Sequence, residues 1–353
     1  MAAAAAAVAS EEEKGEQAME QPDAECPAKA LCKAAADGEL ARAEQLLKDG
    51  CDYSMPDELG VTPLMLAAQH GHASLVRLLL DAGAPWNALD RSGRCAGDYA
   101  MEAGHQAAFD MLLNAGIQAE LILGAVERQN RLSGVPSNIA YLKSHVHYSE
   151  NELLDNESKG VMMAWEKPLM EAHAKAICTR GGDILNVGFG MGLIDTAIQS
   201  YGPASHTIIE AHPEVHAHML ESGWGKKENV QVVFGRWQDL MPQLCQYDGI
   251  FFDTYGEFYE DLRDFHAYLP KLLKPGGIYS YFNGLCANNA FFHVTYCQLV
   301  ALELAASGFS TQFVPLPVKD CLDERTWLGV KKKYWQLDTY LLPVCQTQDE
   351  DET

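Results

Sequence analysis

Positive charge is scarce in this chain. Its 353 residues hold 26 Lys and Arg against 49 Asp and Glu, a formal net charge of −23. That balance repels polyanions, which argues against direct binding to nucleic acid or to an anionic membrane and favours cationic partners. Part of the excess lies at the ends: residues 11–25 carry seven acids against one lysine, and the tail closes on Asp349, Glu350, Asp351 and Glu352. Such runs cannot bury enough apolar surface to offset ordering, so 1–27 and 346–353 read as disordered acidic termini. Paired cysteines are missing: ten are scattered with no C-x-x-C spacing, which argues against a zinc ribbon or a disulfide framework and points to a cytoplasmic and nuclear protein with reduced thiols. Long apolar runs are missing as well. No stretch approaches the roughly 18 apolar residues of a membrane span, and Met1–Ser10 is mostly alanine without a basic leader.

What is present is length enough for two cores and a repeat. Gly38, Gly71 and Gly104 recur every 33 residues, as do Gly50, Gly83 and Gly116, and Ala34, Ala67 and Ala100. Each unit closes on a leucine pair and a glycine: Leu46-Leu47 before Gly50, Leu79-Leu80 before Gly83, Leu112-Leu113 before Gly116. A glycine after the last turn takes the left-handed conformation without steric cost, so each is expected to end a helix. The middle unit, Gly60-Val61-Thr62-Pro63-Leu64, with this period, resembles the ankyrin repeat. Three units over 28–118 therefore read as an all-α recognition module, followed by a helical linker over 119–144.

The pattern then changes after Ser133-Gly134-Val135-Pro136-Ser137. Ile184–Val187, Thr207–Ile209, Val230–Phe234, Gly249–Phe252 and Ile278–Phe282 are short β-rich runs separated by helical stretches, which predicts an α/β doubly wound, mostly parallel sheet over 145–345. Thr311–Pro315 and Lys333–Leu342 are expected to add an antiparallel edge. Asp183–Val187 runs into Gly188-Phe189-Gly190-Met191-Gly192, where glycines let the chain turn sharply and a ligand lie against backbone. Glu210 ends the next strand, placed to accept both hydroxyls of a ribose. A dinucleotide site shares that acid but asks for G-x-G-x-x-G, and the third position here is Leu193. Asp253 ends the hydrophobic run Tyr247–Phe252, and Lys274-Pro275-Gly276-Gly277 leads into the fifth strand. His212, His216 and His218 are close in sequence, but Pro213 intervenes and no further ligand set is near, so they read as an exposed helix start and no metal is expected.

Together Val161–Met170, the glycine turn, Ile208-Ile209-Glu210, Gly235-Arg236-Trp237 and Asp253-Thr254-Tyr255 resemble guanidinoacetate methyltransferase across 145–343. With repeats ahead of that domain, the chain is similar to the eukaryotic protein arginine delta-N-methyltransferases, called type IV. The resemblance implies the class I fold of S-adenosyl-L-methionine-dependent methyltransferases and an acceptor arginine in a ribosomal protein. It implies contacts to the donor from Tyr148, Met170, Phe189, Gly190, Met191, Gly192, Leu193, Ile194, Glu210, Ala211, His212, Trp237, Gln238 and Asp253, with Glu166 and Asp253 facing the guanidine as the catalytic pair. One departure stands out: Asn186 occupies a position where class I enzymes often carry an acid.

Chemistry agrees with a carboxylate pair. A guanidinium is planar and always charged, with paired donors that match a carboxylate bidentately. Only about one in 10⁵ to 10⁶ is neutral at pH 7, so removing its proton beforehand costs roughly 7–8 kcal/mol. Proton loss must accompany or follow attack on the methyl group, and positioning carries most of the catalysis. Two other uses of the chain fit its parts: a small-molecule guanidino methyltransferase with an appendage, or an inactive scaffold. The glycine turn, Glu210 and Asp253 are all retained, which a decayed site would not require.

Overall fold

The computed structural model of the protein describes residues 26–130 and 138–347. The stretch 11–25, the Ser133–Ser137 break and the Asp349–Glu352 tail lie outside the described residues. Six helices form the repeats: α1 (Pro27–Asp37), α2 (Leu40–Lys48), α3 (Pro63–Gln69), α4 (Ala73–Asp81), α5 (Ala96–Glu102) and α6 (Gln106–Asn130). The repeated alanines Ala34, Ala67 and Ala100 are fully buried, small enough to let successive helices stack. Thr62 caps α3 by accepting the Met65 N–H at 3.3 Å, with Pro63 in the first turn where its missing N–H costs nothing.

Two expectations fail at α6. Gly50 and Gly83 have left-handed φ of 85° and 97°, but Gly116 lies inside a helix of 25 residues. It is needed for contact instead, since a Cβ there would come within 2.9 Å of the Trp86 ring. With no break at Gly116 the helix runs straight from the last repeat into the linker. Its segment Gln106–Val126 has mean hydropathy 1.3, long and apolar enough to cross a membrane by length and composition. The chain therefore holds one stretch that reaches that measure, against the expectation of none. The helix packs in this fold through Ala108, Leu112 and Ile117, and its Glu120 accepts the Tyr296 hydroxyl at 2.9 Å.

After α7 (Ile139–Leu142) comes a small antiparallel sheet absent from the sequence reading: β1 (Val146–Tyr148), β2 (Glu152–Asp155) and β3 (Gly160–Met163). Then α8 (Lys167–Ile177), β4 (Asp183–Val187), α9 (Leu193–Ser200), β5 (Ser205–Glu210), α10 (Pro213–Glu221), β6 (Val230–Phe234), α11 (Trp237–Leu240), β7 (Tyr247–Phe252), α12 (Tyr259–His266), α13 (Leu269–Leu272), β8 (Leu273–Tyr281), α14 (Ala290–Ala305), β9 (Phe309–Pro317) and β10 (Thr339–Thr347) follow. The large sheet has the order β6-β5-β4-β7-β8-β10-β9, parallel from β6 to β8 and antiparallel at β10 and β9. This is the expected class I methyltransferase fold behind an ankyrin array. The last strand starts at Thr339 rather than Lys333, because Tyr334 and Trp335 turn into the core before it.

Strands buried on both faces carry continuous apolar runs. Leu185, Val187 and Ile250 pack on one side with Phe265, Leu269 and Val300. Ile184 and Phe251 pack on the other with Leu169, Met170 and Ile198. Strand order reverses between β4 and β7, which leaves a crevice at their carboxyl ends, the place where open α/β sheets take ligands.

Candidate active site

The ends of β4, β5 and β7 meet at that crevice. Gly188 follows β4 with φ of 99°, and a Cβ there would fall on the Asp253 carbonyl oxygen. Glycine is therefore what allows β4 and β7 to close up beneath the cavity. Glu210 ends β5, and its two oxygens accept the Phe189 N–H at 2.9 Å and the His212 N–H at 2.6 Å. Burial raises the pKa of this carboxyl group, opposed by those amide hydrogen bonds. Asn186 donates to the Gly188 carbonyl at 2.9 Å and to Asp195 at 2.8 Å, so an amide here bridges the glycine turn to a buried acid on α9.

Of the residues expected to hold the donor, Gly190, Glu210, Ala211, Trp237, Gln238 and Asp253 line the cavity. Tyr148 stands behind it, its hydroxyl donating to the Gly190 carbonyl at 2.9 Å. Phe189 and His212 do not line the cavity; their backbone N–H groups are held by Glu210. Met191 and Gly192 continue the turn, with the Met191 N–H on the Met162 sulfur at 3.2 Å. Leu193 starts α9, while Met170 and Ile194 are fully buried in the core beneath the sheet and do not line the cavity.

His212 is not an exposed helix start. It is buried, its ring nitrogens placed against the Ser144 carbonyl at 3.1 Å and the Glu214 N–H at 3.2 Å, so it caps α10 and ties down the chain before β1. His216 packs on Phe234 and His218 stacks on Tyr148, so the three histidines have separate partners.

The second half of the cavity is acidic. Glu166 is 2% exposed, on a single 3₁₀ turn (Ala164–Glu166) after β3. Its Oε1 accepts the Met163 N–H at 2.9 Å and the Tyr334 hydroxyl at 2.5 Å. Burial first, then the charge of Asp253, pushes Glu166 up to about 8 against those two hydrogen bonds. Asp253 keeps some surface open to the cavity, but protein packs around its carboxyl group and desolvation pushes it up to about 7. Among the described residues none donates a hydrogen bond to that carboxyl group. Two acids raised above the ordinary carboxyl range thus line one cavity, an arrangement that a bound cation would stabilise in its ionised form.

Several lining residues escaped the sequence reading. Glu257 accepts from the Trp237 indole at 3.0 Å, Gln238 at 2.8 Å and Thr254 at 2.6 Å, fixing the wall under β6. Tyr141 and Tyr255 form the roof, edge to face at 4.7 Å, with the Tyr255 hydroxyl on Asp155 at 3.0 Å. Tyr334 is the fourth. Only Glu257 and Tyr255 had a local signal, their closeness to Asp253 in sequence.

Comparison with known proteins agrees with this geometry. A family described as guanidinoacetate N-methyltransferase matches residues 133–305, and ankyrin repeats in three copies match residues 31–121. A protein arginine N-methyltransferase 2 from Aspergillus oryzae is 37% identical over 322 residues, covering 86% of this chain and 77% of its own length. The protein of that name from Cryptococcus neoformans is 32% identical over 351 residues, covering 90% and 94%. The one from Saccharomyces cerevisiae is 37% identical over 214 residues, covering 58% and 52%. Likeness across both the repeats and the catalytic sheet places the chain in the protein arginine N-methyltransferase 2 family.

Proposed function

We propose that this enzyme transfers a methyl group from S-adenosylmethionine to the internal δ nitrogen of an arginine in a basic protein, of the ribosomal class, and that its ankyrin repeats help select that protein. One observation carries the reading: Glu166 and Asp253 line one cavity, and its one cation among the described residues follows β6, with β5 and β4 between it and the β7 end that carries Asp253. Arg236, the one cation lining the cavity among the described residues, stands next to Trp237 beyond the end of β6. A free guanidino acid brings its own carboxylate and calls for a cation close to the clamp. An arginine within a chain does not. Guanidinoacetate, named by the matching family, and a protein arginine share one target, the nitrogen that joins a guanidine to a CH₂ group, which supports the δ position.

The residues present fit the donor. Glu210 has its oxygens set by backbone amides and turned to the cavity, suited to a ribose diol. Gln238 Oε1 is a buried acceptor without a partner among the described residues, which an adenine amino group would satisfy. When bound, S-adenosylmethionine supplies an electrophilic methyl group on a sulfonium. Glu166 and Asp253 hold the guanidinium plane, and Tyr141 and Tyr255 keep water from the cavity. A carboxylate takes the proton as the attacked nitrogen becomes acidic.

The test is methylation of basic proteins by the purified chain with labelled donor, followed by mass spectrometry of the modified arginine. Terminal-nitrogen products release methylamine on fragmentation, whereas an internal methyl group does not. Faster turnover of free guanidinoacetate than of any protein would replace this reading with a small-molecule one.

A further inference from the structure

Glu166 does not offer a whole carboxylate to the cavity. An ionised carboxylate oxygen has two lone pairs, and on Oε1 both are taken, by the Met163 N–H and the Tyr334 hydroxyl. The hydroxyl's proton is committed to this bond, because the Tyr334 oxygen accepts the Trp165 indole N–H at 3.0 Å. Oε2 of Glu166 and both oxygens of Asp253 have no protein donor among the described residues. The clamp is thus unequal, two oxygens on one side and one on the other.

Tyr334 is held hard in this role. Its ring sits against Trp165 and Trp327, with centroids at 5.9 and 5.1 Å, and fills the space over Gly160, where a Cβ would come within 2.7 Å of it. It belongs to the loop before β10, far from Glu166 in sequence, and lines the cavity itself.

We propose that Tyr334 is a positioning residue that sets which guanidine nitrogen is methylated, by occupying Oε1 of Glu166 and so making the clamp asymmetric. The inference rests on the arginine reading above and deepens it. An alkylated guanidinium has three edges, of which only the one joining the two terminal nitrogens is symmetric. Asp253 grips one edge with both oxygens, and the single free oxygen of Glu166 takes one further N–H. A two-plus-one set of acceptors fits one in-plane orientation best. Losing the hydroxyl leaves the Met163 N–H on Oε1 but returns one of its lone pairs to the cavity, so Glu166 can take a second N–H and the guanidinium then also settles in a second orientation with a terminal nitrogen towards the methyl group.

Tyr334→Phe removes the hydroxyl and keeps the ring, so the packing over Gly160 stays. With the full chain, S-adenosylmethionine and a short arginine peptide, the wild type is expected to give one methylarginine isomer. The variant is expected to give two, with the terminal-nitrogen fraction raised at least about tenfold. The acid limb of its kcat/KM profile also moves to higher pH, since Glu166 loses a bond that favours its charge. Trp165→Phe, which removes the indole donor to the hydroxyl at the cost of some packing against Trp327 and Trp335, is expected to shift the isomer ratio the same way by less. Thermal unfolding of both variants checks that the fold stands. A single unchanged isomer and an unchanged pH profile in folded Tyr334→Phe overturn this proposal alone. Wild-type protein that yields no methylarginine, or only the terminal isomer, overturns the functional reading on which it rests.

Discussion

At the scale of single residues the site is governed by where charge is left without water. Glu166 and Asp253 are raised to about 8 and about 7, mainly by burial. Between the ordinary carboxyl range near pH 4 and these values, the empty pair keeps protons that free acids would have lost. A guanidinium is gripped only by the ionised pair, so acceptor binding at pH 6 is expected to expel protons, and kcat/KM to rise with pH and level off above about pH 8. Calorimetry in buffers of different ionisation enthalpy reads the released protons, and a proton-silent binding event would sink the assignment. The same shifts favour the folded state at low pH, because the fold binds those protons more tightly than the unfolded chain, and that contribution declines progressively as pH rises from about 4 and is gone above about 8. Asp253→Asn keeps the shape and removes the charge; leaving a clamped cation with half its partner costs on the order of 2–5 kcal/mol, so turnover is expected to fall about 10²-fold or more. Activity near the wild-type rate would remove Asp253 from the clamp. Asp253 and Glu210 were legible in the sequence because each ends a hydrophobic strand, where the topology makes a crevice. Tyr334 was not, because its role is one hydrogen bond to a residue distant in the chain, and its run of residues also reads as strand.

At the scale of elements, the parallel strands announced themselves through apolar runs such as Ile184–Val187 and Gly249–Phe252. The small sheet β1–β3 did not, since its strands are three or four residues long with mixed burial. Helix α6 was divided at Gly116 because glycine after a leucine pair signals a stop; contact with Trp86 overrode that signal. The junction of β4 and β7 gives the sharpest test. Gly188→Ala puts a Cβ on the Asp253 carbonyl oxygen at φ of 99°, whereas Gly223→Ala suffers only its φ of 85°, with open space around it. The second is expected to cost about 1–2 kcal/mol and the first clearly more, on the order of 3 kcal/mol or above, with donor binding lost. Denaturant midpoints of the two variants give the comparison; equal losses would mean that the strand ends are not held together through this glycine.

At the scale of the whole molecule, the repeats are built into the catalytic domain rather than hung from it. Phe291 of α14 is fully buried in the repeat core, and a Cβ on Gly97 would fall in its ring. Asp98 of α5 accepts the Asn289 side-chain amide at 2.6 Å and the Phe291 N–H at 3.2 Å, so the last repeat caps a catalytic helix. Trp86 meets Phe292 edge to face at 5.6 Å. Removing residues 1–118 would cut α6 and strip Phe291 and Phe292, each worth roughly 1.5–3 kcal/mol when buried. Such a truncation is expected to lower the unfolding temperature and to reduce activity on every acceptor, so it says nothing about recruitment. A surface change separates the two roles. Met55 and Leu59 stand 48% and 64% exposed on the loop ahead of α3, with Asp52, Asp57 and Glu58 beside them. Met55→Lys with Leu59→Lys keeps the docked interface and sets positive charge against a basic protein. Unfolding temperature and turnover of a short arginine peptide are expected to stay at wild-type values, while kcat/KM for a whole basic protein falls by at least about threefold. The effect should shrink as salt is raised, because it acts through charge across water. Equal loss for peptide and protein would place the defect in the fold, and no loss for either would move the acceptor's docking surface away from this loop.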